Sequence, residues 1–310
     1  MSSLKKFPKN LKSRIIVIVG PTASGKSALA VKIAKTLRQS SGRDGEIISA
    51  DSRQVYRGLN LASGKITKKE MAGVPHHCLD LVSPKTIFSA ERYAKCAQKA
   101  IKEILKRRKT PIIVGGTGFY IDIALGRMKT ASVAPDWKLR RILEKRSAEF
   151  LFKMLKKLDT KRTKTIEPQN KRRLIRAIEI AKHNSKKDGN KTSKNETYRY
   201  INILWIGIKI KPEELRKKIN NRLEKRLKAG MIDEIRKLRK SGVNWKRLDD
   251  LGLEPRWISR YLRGQISKDE MVLKLQTSIW RYSRRQMTWF KRNKNIRWAE
   301  SFKLGRSKLF

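Results

Sequence analysis

The octapeptide Gly20-Pro21-Thr22-Ala23-Ser24-Gly25-Lys26-Ser27 fits the pattern G-x-x-x-x-G-K-[ST] at every fixed position. That spacing suits a loop whose backbone N–H groups turn inward on a phosphate, with a helix start adding the positive end of its dipole. Lys26 supplies a point charge, and the Ser27 hydroxyl is placed to hold magnesium. A second segment, Asp51-Ser52-Arg53-Gln54-Val55-Tyr56, offers a carboxylate as a general base. A third, Val114-Gly115-Gly116-Thr117-Gly118-Phe119-Tyr120, offers a hydroxyl in a small-residue turn. A phosphate cradle, a base and a hydroxyl suit group transfer from a phosphorylated donor. A kinase or ATPase stays an open reading, weakened because residues 112–116 lack the apolar run ending in aspartate with which such enzymes hold magnesium.

The elements around these segments explain how they would meet. Residues 14–19 are a β-branched run ending in glycine, the composition of a strand buried on both faces, and they lead straight into the phosphate loop. Leu29, Ile33 and Leu37 recur at helical spacing after it, and residues 46–50 read as a second strand. A helix over 91–108 carries Ala94, Ala97, Ile101 and Ile104 on one face and is followed by a strand at 111–114. Alternating strands and helices predict an α/β fold with a parallel sheet of the P-loop NTPase-like kind, flanked by helices. Asp51 would then stand at the carboxyl end of a strand, facing the ligand crevice.

From residue 129 to 196 the pattern turns mostly helical, with helices at 140–158 and 172–183 and a polar, turn-rich stretch at 185–195. The spacing predicts a helical insertion domain there, between core segments 12–128 and 197–310. A strand at 200–210 and helices at 213–228, 232–240 and 268–291 complete the core.

Lysine and arginine number 77 against 27 acids, a formal net charge of +50, which exceeds what a neutral small substrate needs and implies a polyanionic partner. Two cysteines, Cys78 and Cys96, make no disulfide scaffold and suit a reducing, cytoplasmic setting. Residues 1–14 are basic without an apolar core, so no secretory signal is expected, and no apolar run is long enough for a membrane span. His76, His77 and Cys78 are adjacent, so their side chains diverge and no zinc site is expected.

In their order, the three loop segments resemble the tRNA dimethylallyltransferase family. The resemblance continues through residues 62–65, 75–80 and 88–90, the basic helix at 170–176 and Arg284-Arg285-Gln286-Met287-Thr288-Trp289, covering roughly residues 14–298. It implies transfer of a dimethylallyl group from dimethylallyl diphosphate to N6 of adenosine 37, beside the anticodon of tRNAs reading codons that begin with U. It further implies Asp51 as base, Ser52, Arg53 and Gln54 against the flipped adenosine, Thr117 near the reacting amine and Arg222 on the phosphate side. By the same resemblance Arg140, Arg172, Arg173, Arg176, Arg256, Arg284, Arg285 and Gln286 would hold the tRNA. Where the family shows G-Y-[RK], this chain reads Gly252-Leu253-Glu254-Pro255-Arg256. Magnesium is the cofactor expected, and the protein is expected to act as a monomer.

The chemistry of the residues agrees: a diphosphate leaving group needs a cradle and cations, and an exocyclic amine with a delocalised lone pair needs a carboxylate to accept its proton. A base extruded from a single-stranded loop costs least to present. A prenyltransferase acting on free nucleotides shares this core, and the insertion with the basic excess favours tRNA over it. A non-catalytic RNA-binding protein would not need Lys26, Ser27 and Asp51 together.

Overall fold

The computed structural model describes residues 15–300 apart from 43, 129, 132 and 186–201. The basic segment 1–14 and nearly all of the polar stretch 185–195 lie outside the described residues.

The chain divides into two compact units, one within 129–197 and one formed by the rest. In chain order the larger unit begins with β1 (Ile15–Val19), α1 (Lys26–Ser41), β2 (Gly45–Ser49), α2 (Lys68–Met71), β3 (His76–His77), α3 (Ala90–Lys106), β4 (Thr110–Val114) and α4 (Gly118–Ala124). The smaller unit holds α5 (Trp137–Glu144), α6 (Ala148–Leu158), α7 (Thr160–Thr163) and α8 (Lys171–Ser185). The larger unit resumes with β5 (Ile203–Lys209), α9 (Pro212–Lys228), α10 (Met231–Lys240), α11 (Trp245–Leu251), α12 (Leu253–Leu262), α13 (Lys268–Phe290) and β6 (Arg297–Glu300).

Six strands form one parallel sheet in the order β3-β2-β4-β1-β5-β6. Every residue of β1, β2 and β4 is buried, because both faces of the sheet are covered. Ile16 and Ile18 of β1 pack with Ile33 and Leu37 of α1 on one face, while Ile15, Val17 and Val19 pack with Tyr93, Ala97 and Ile101 of α3 on the other. The β-branched runs thus serve two cores at once. A third apolar cluster joins α9 to α13 with Val55, Tyr56 and Leu59 from the segment after β2. This is the P-loop NTPase-like architecture, with β1, β4 and β2 side by side, so the loops leaving their carboxyl ends emerge along one edge.

β3 and β6 were not legible in the sequence: one has two residues, and the other is a short edge strand with no fully buried side chain. The single helix expected over 140–158 is two helices. Ser147 accepts a hydrogen bond on its side chain from the Phe150 N–H at 3.1 Å, which caps a new helix and ends the first.

The smaller unit has its own apolar core, in which Leu151 and Leu155 of α6 meet Leu174 and Ile178 of α8. A buried carboxylate sits beside it. Glu179, 3% exposed, accepts a two-pronged ion pair from Arg140 at 2.9 and 2.7 Å, a bond from the Asp136 N–H at 2.6 Å and a further contact from Arg176. Arg176 also donates to the Val133 carbonyl at 2.8 Å. Burial pushes the Glu179 carboxyl up, but the bonds from Arg140 and Arg176 hold it below the usual carboxylate range. Removing Glu179 leaves two partly buried guanidiniums without their counter-charge.

Replacing Glu179→Ala should cost about 3 kcal/mol locally, seen as a roughly hundredfold rise in hydrogen exchange of the α5 and α8 amides. Because its folded pKa is depressed, the contribution is present above the unfolded carboxylate value and lost as pH falls through the folded one. Exchange unchanged from the parent protein would remove the cluster from the unit's stability.

Candidate active site

β1 ends at Val19 and the chain enters the loop through Gly20, at φ 152°, where a side chain would press on the Ile208 backbone at 3.1 Å. Ala23 and Gly25 both take left-handed backbone, and Gly25 caps α1. Lys26 and Ser27 therefore occupy the first turn of α1, as a phosphate loop requires. Lys26 Nζ donates to the Pro21 carbonyl at 2.6 Å. Ser24 Oγ is buried and makes no hydrogen bond. A buried hydroxyl without a partner and an ammonium in the same loop are groups suited to an anion.

The loops after β2 and β4 interlock with it. Gly115 is held so close to the Ala50 carbonyl that a Cβ there would collide with it, and Thr117 N–H donates to the same oxygen at 3.1 Å. The Thr117 hydroxyl accepts from the Ser52 N–H at 3.2 Å. Asp51 turns into the cavity, and its Oδ1 accepts from the Arg53 N–H at 2.8 Å, which fixes the carboxylate. Gln54 accepts from Ser49 Oγ at 3.0 Å and donates to the Gly64 carbonyl at 3.3 Å.

One cavity collects these groups: Lys26 and Ser27 from the loop, Asp51 and Gln54 from the segment after β2, Gly116 from the turn after β4, and Arg222 from α9. Arg222 donates to the Gly64 carbonyl at 3.0 Å, and Gly64 itself takes φ 58° with no room for a side chain beside that guanidinium. Behind it, Arg226 bonds the Leu61 and Ala62 carbonyls, while Glu234 receives the N–H groups of Asn60, Leu61 and Ala62 at 2.9, 2.7 and 2.9 Å. The loop carrying Gly64 is clamped from both sides of its backbone.

Crowding of cations marks the cavity. Burial, then the neighbouring Arg222, push the Lys26 ammonium down to about 7, and Asp51 only partly offsets them. Arg222 is likewise pushed down, by burial and then by Arg226.

Two groups that the sequence did not assign to the cradle complete it. Gln286, expected against the tRNA, is instead 5% exposed. Its Oε1 accepts from Thr22 N–H at 2.8 Å and its Nε2 donates to the Gly116 carbonyl at 3.0 Å. Tyr282, one turn earlier on α13, lines the cavity and meets Thr117 and Gln286; burial pushes its phenol up. The periodicity of α13 held the signal, since Ile279, Ser283, Gln286 and Phe290 form its buried face.

The other expected contacts separate into two groups. Arg172, Arg173, Arg284 and Arg285 are exposed, as a phosphate-binding surface requires. Arg140 and Arg176 are committed to Glu179, and Arg256 Nε donates to the Asp249 carbonyl at 3.0 Å. His77 bonds Glu46 at 2.7 Å while His76 Nδ1 bonds the Val74 carbonyl at 2.8 Å, so the adjacent rings do take separate partners.

A P-loop at the carboxyl edge of a parallel sheet, with a carboxylate facing its lysine, defines a phosphate-binding α/β transferase. The family model described as IPP transferase matches residues 54–293. A tRNA dimethylallyltransferase of Geotalea uraniireducens is 37% identical over 290 residues, covering 92% of each chain. The crystal structure of a tRNA isopentenylpyrophosphate transferase from Bacillus halodurans superposes with a TM-score of 0.68 at 34% identity, covering 94% of this chain and 90% of that one. A eukaryotic dimethylallyltransferase acting on tRNA shares the fold at a TM-score of 0.75 and 22% identity, covering 94% of this chain and 75% of that one. The chain belongs to the tRNA dimethylallyltransferase family.

A diphosphate placed beside Lys26 should return its pKa toward the ordinary lysine value, so binding inorganic pyrophosphate near pH 8 takes up protons. Calorimetric titrations in buffers of different ionisation enthalpy read this uptake, and Lys26→Arg, which stays charged, should abolish the lysine's share. Equal uptake by both proteins would show that Lys26 is already charged in the free enzyme.

Proposed function

We propose that this chain transfers the dimethylallyl group of dimethylallyl diphosphate to N6 of adenosine 37 in tRNAs that read codons beginning with U. The observation that carries this reading is the cavity in which Asp51 lies opposite Lys26 and Arg222. A proton acceptor and a pair of cations across one cavity suit a reaction in which an amine loses a proton while a diphosphate departs.

N6 attacks the allylic carbon, the carbon–oxygen bond to the diphosphate breaks, and Asp51 accepts the amine proton. Lys26, Arg222 and the inward N–H groups of the loop hold the negative charge that collects on the leaving group. The Thr117 hydroxyl, which accepts from the Ser52 N–H, hydrogen-bonds near the amine in this reading. The Ser27 hydroxyl, which lines the cavity, would hold magnesium in the manner of a site completed by substrate phosphates, leaving Asp51 free as the base. When bound, the ion neutralises part of the charge on the departing diphosphate.

The tRNA is the polyanion that a net charge of +50 calls for. The exposed Arg172 and Arg173 on α8 engage the anticodon stem, and Arg284 and Arg285 on α13 meet the backbone nearer the flipped base, with Ser52, Arg53 and Gln54 against the adenosine. Among the described residues no helix is long and apolar enough to cross a membrane. The enzyme works as a monomer in the cytoplasm, where its RNA substrate resides.

Labelled dimethylallyl diphosphate offered to an anticodon stem-loop and to AMP should mark the stem-loop alone. Asp51→Asn should lower single-turnover transfer by about a thousandfold while stem-loop affinity is kept. Label on AMP instead would assign a free-nucleotide prenyltransferase, and near-normal transfer by the variant would remove Asp51 as the base.

A further inference from the structure

The chain has two cysteines, and the fold brings them together behind the active-site edge of the sheet. Cys78 follows β3 directly and Cys96 lies in α3, yet their sulfurs are 3.1 Å apart. A disulfide requires about 2.05 Å, so the sulfurs need close by only ~1 Å. Cys78 is 4% exposed and takes left-handed backbone at φ 62°, while Cys96 is half-buried. Cys96 is thus the more exposed of the two residues and Cys78 the more buried.

We propose that Cys78 and Cys96 form a reversible redox site, in which a hydroperoxide oxidises Cys96 and Cys78 resolves the product to an intramolecular disulfide. The balance is complete with hydrogen peroxide as oxidant. The Cys96 thiolate attacks one peroxide oxygen, the O–O bond breaks, and the departing hydroxide takes up a proton as water, leaving a sulfenic acid. The Cys78 sulfur then attacks the Cys96 sulfur, its proton leaves with the hydroxyl as a second water, and the S–S bond forms. Two thiols and one peroxide become one disulfide and two waters.

The surroundings support this division of labour. The contact with Cys78 holds Cys96 down to about 7 against burial, with Lys99 assisting and Glu103 opposing. Cys78 is pushed up, first by that same contact and then by burial, so it stays a thiol until its neighbour is oxidised. Cys78 packs in one apolar cluster with Ala50, Tyr93 and Ala97 of the core, and Tyr93 Oη donates to the Ser49 carbonyl at 3.1 Å. The disulfide therefore staples the segment after β3 to α3, directly behind the end of β2 that carries Asp51. It closes a short loop and so constrains the unfolded chain.

The test uses the reduced full chain with equimolar hydrogen peroxide, quenched with N-ethylmaleimide and read by intact mass. The expected product is a monomer that has lost two hydrogens and takes up no maleimide, regains both alkylation sites after dithiothreitol, and yields a peptide joining Cys78 to Cys96. Its melting temperature should rise by roughly 5 °C. In Cys78→Ser, dimedone should trap a sulfenic acid at Cys96. Two thiols still alkylated, added oxygens on Cys96 with Cys78 free, or a covalent dimer in the parent protein would each overturn the proposal.

Discussion

Gln286 ties the two loops of the phosphate site together with one buried amide. Its carbonyl takes the Thr22 N–H of the P-loop, and its NH2 reaches the Gly116 carbonyl in the turn after β4. The glycine pair is what lets it in: a side chain at Gly115 would strike the Ala50 carbonyl, and one at Gly116 would strike the Gln286 amide itself. Three strands therefore present their loops at fixed spacing, with α13 as the backing. Both halves of the amide are satisfied inside the protein, so the link needs no water to hold it.

The cavity keeps Lys26 and Arg222 close together, and the protein meets the cost of crowded cations with its few acids. Glu234 collects three backbone N–H groups and Glu254 pairs with Arg226, which frees the neighbouring Arg222 to face the cavity. Glu46, 3% exposed, is surrounded by His77, Arg107 and Lys109 at the far end of β2. Glu179 does the same for the smaller unit. In a chain with 77 basic residues, carboxylates are scarce enough that the buried ones act as internal staples, and uncompensated charge is left at the surface for RNA.

The sequence carried the strands of the central sheet, the P-loop and the family, because each rests on residues close together in the chain. Ile15–Val19 announces a strand with two buried faces, and G-x-x-x-x-G-K-[ST] closes its own turn within eight residues. The glycines of Val114-Gly115-Gly116-Thr117 were also visible, though not the neighbours that demand them.

Tertiary structure alone decided which basic residues are committed to buried partners. Arg140 and Arg176 look like Arg172 and Arg173 in a string of letters, yet Arg140 on α5 and Arg176 on α8 both turn onto the buried Glu179 carboxylate, while Arg172 and Arg173 on α8 are exposed. Gln286 reads as part of a basic surface run with Arg284 and Arg285 until the register of α13 puts it in the core. The meeting of Cys78 with Cys96 likewise belongs to the fold, whereas a shared site for Asp51, Lys26 and Arg222 was already implied by the family resemblance. Spacing along the chain fixes what a residue can do locally; whether it meets water, an ion or a second sulfur depends on groups brought from far along the chain, which packing alone selects.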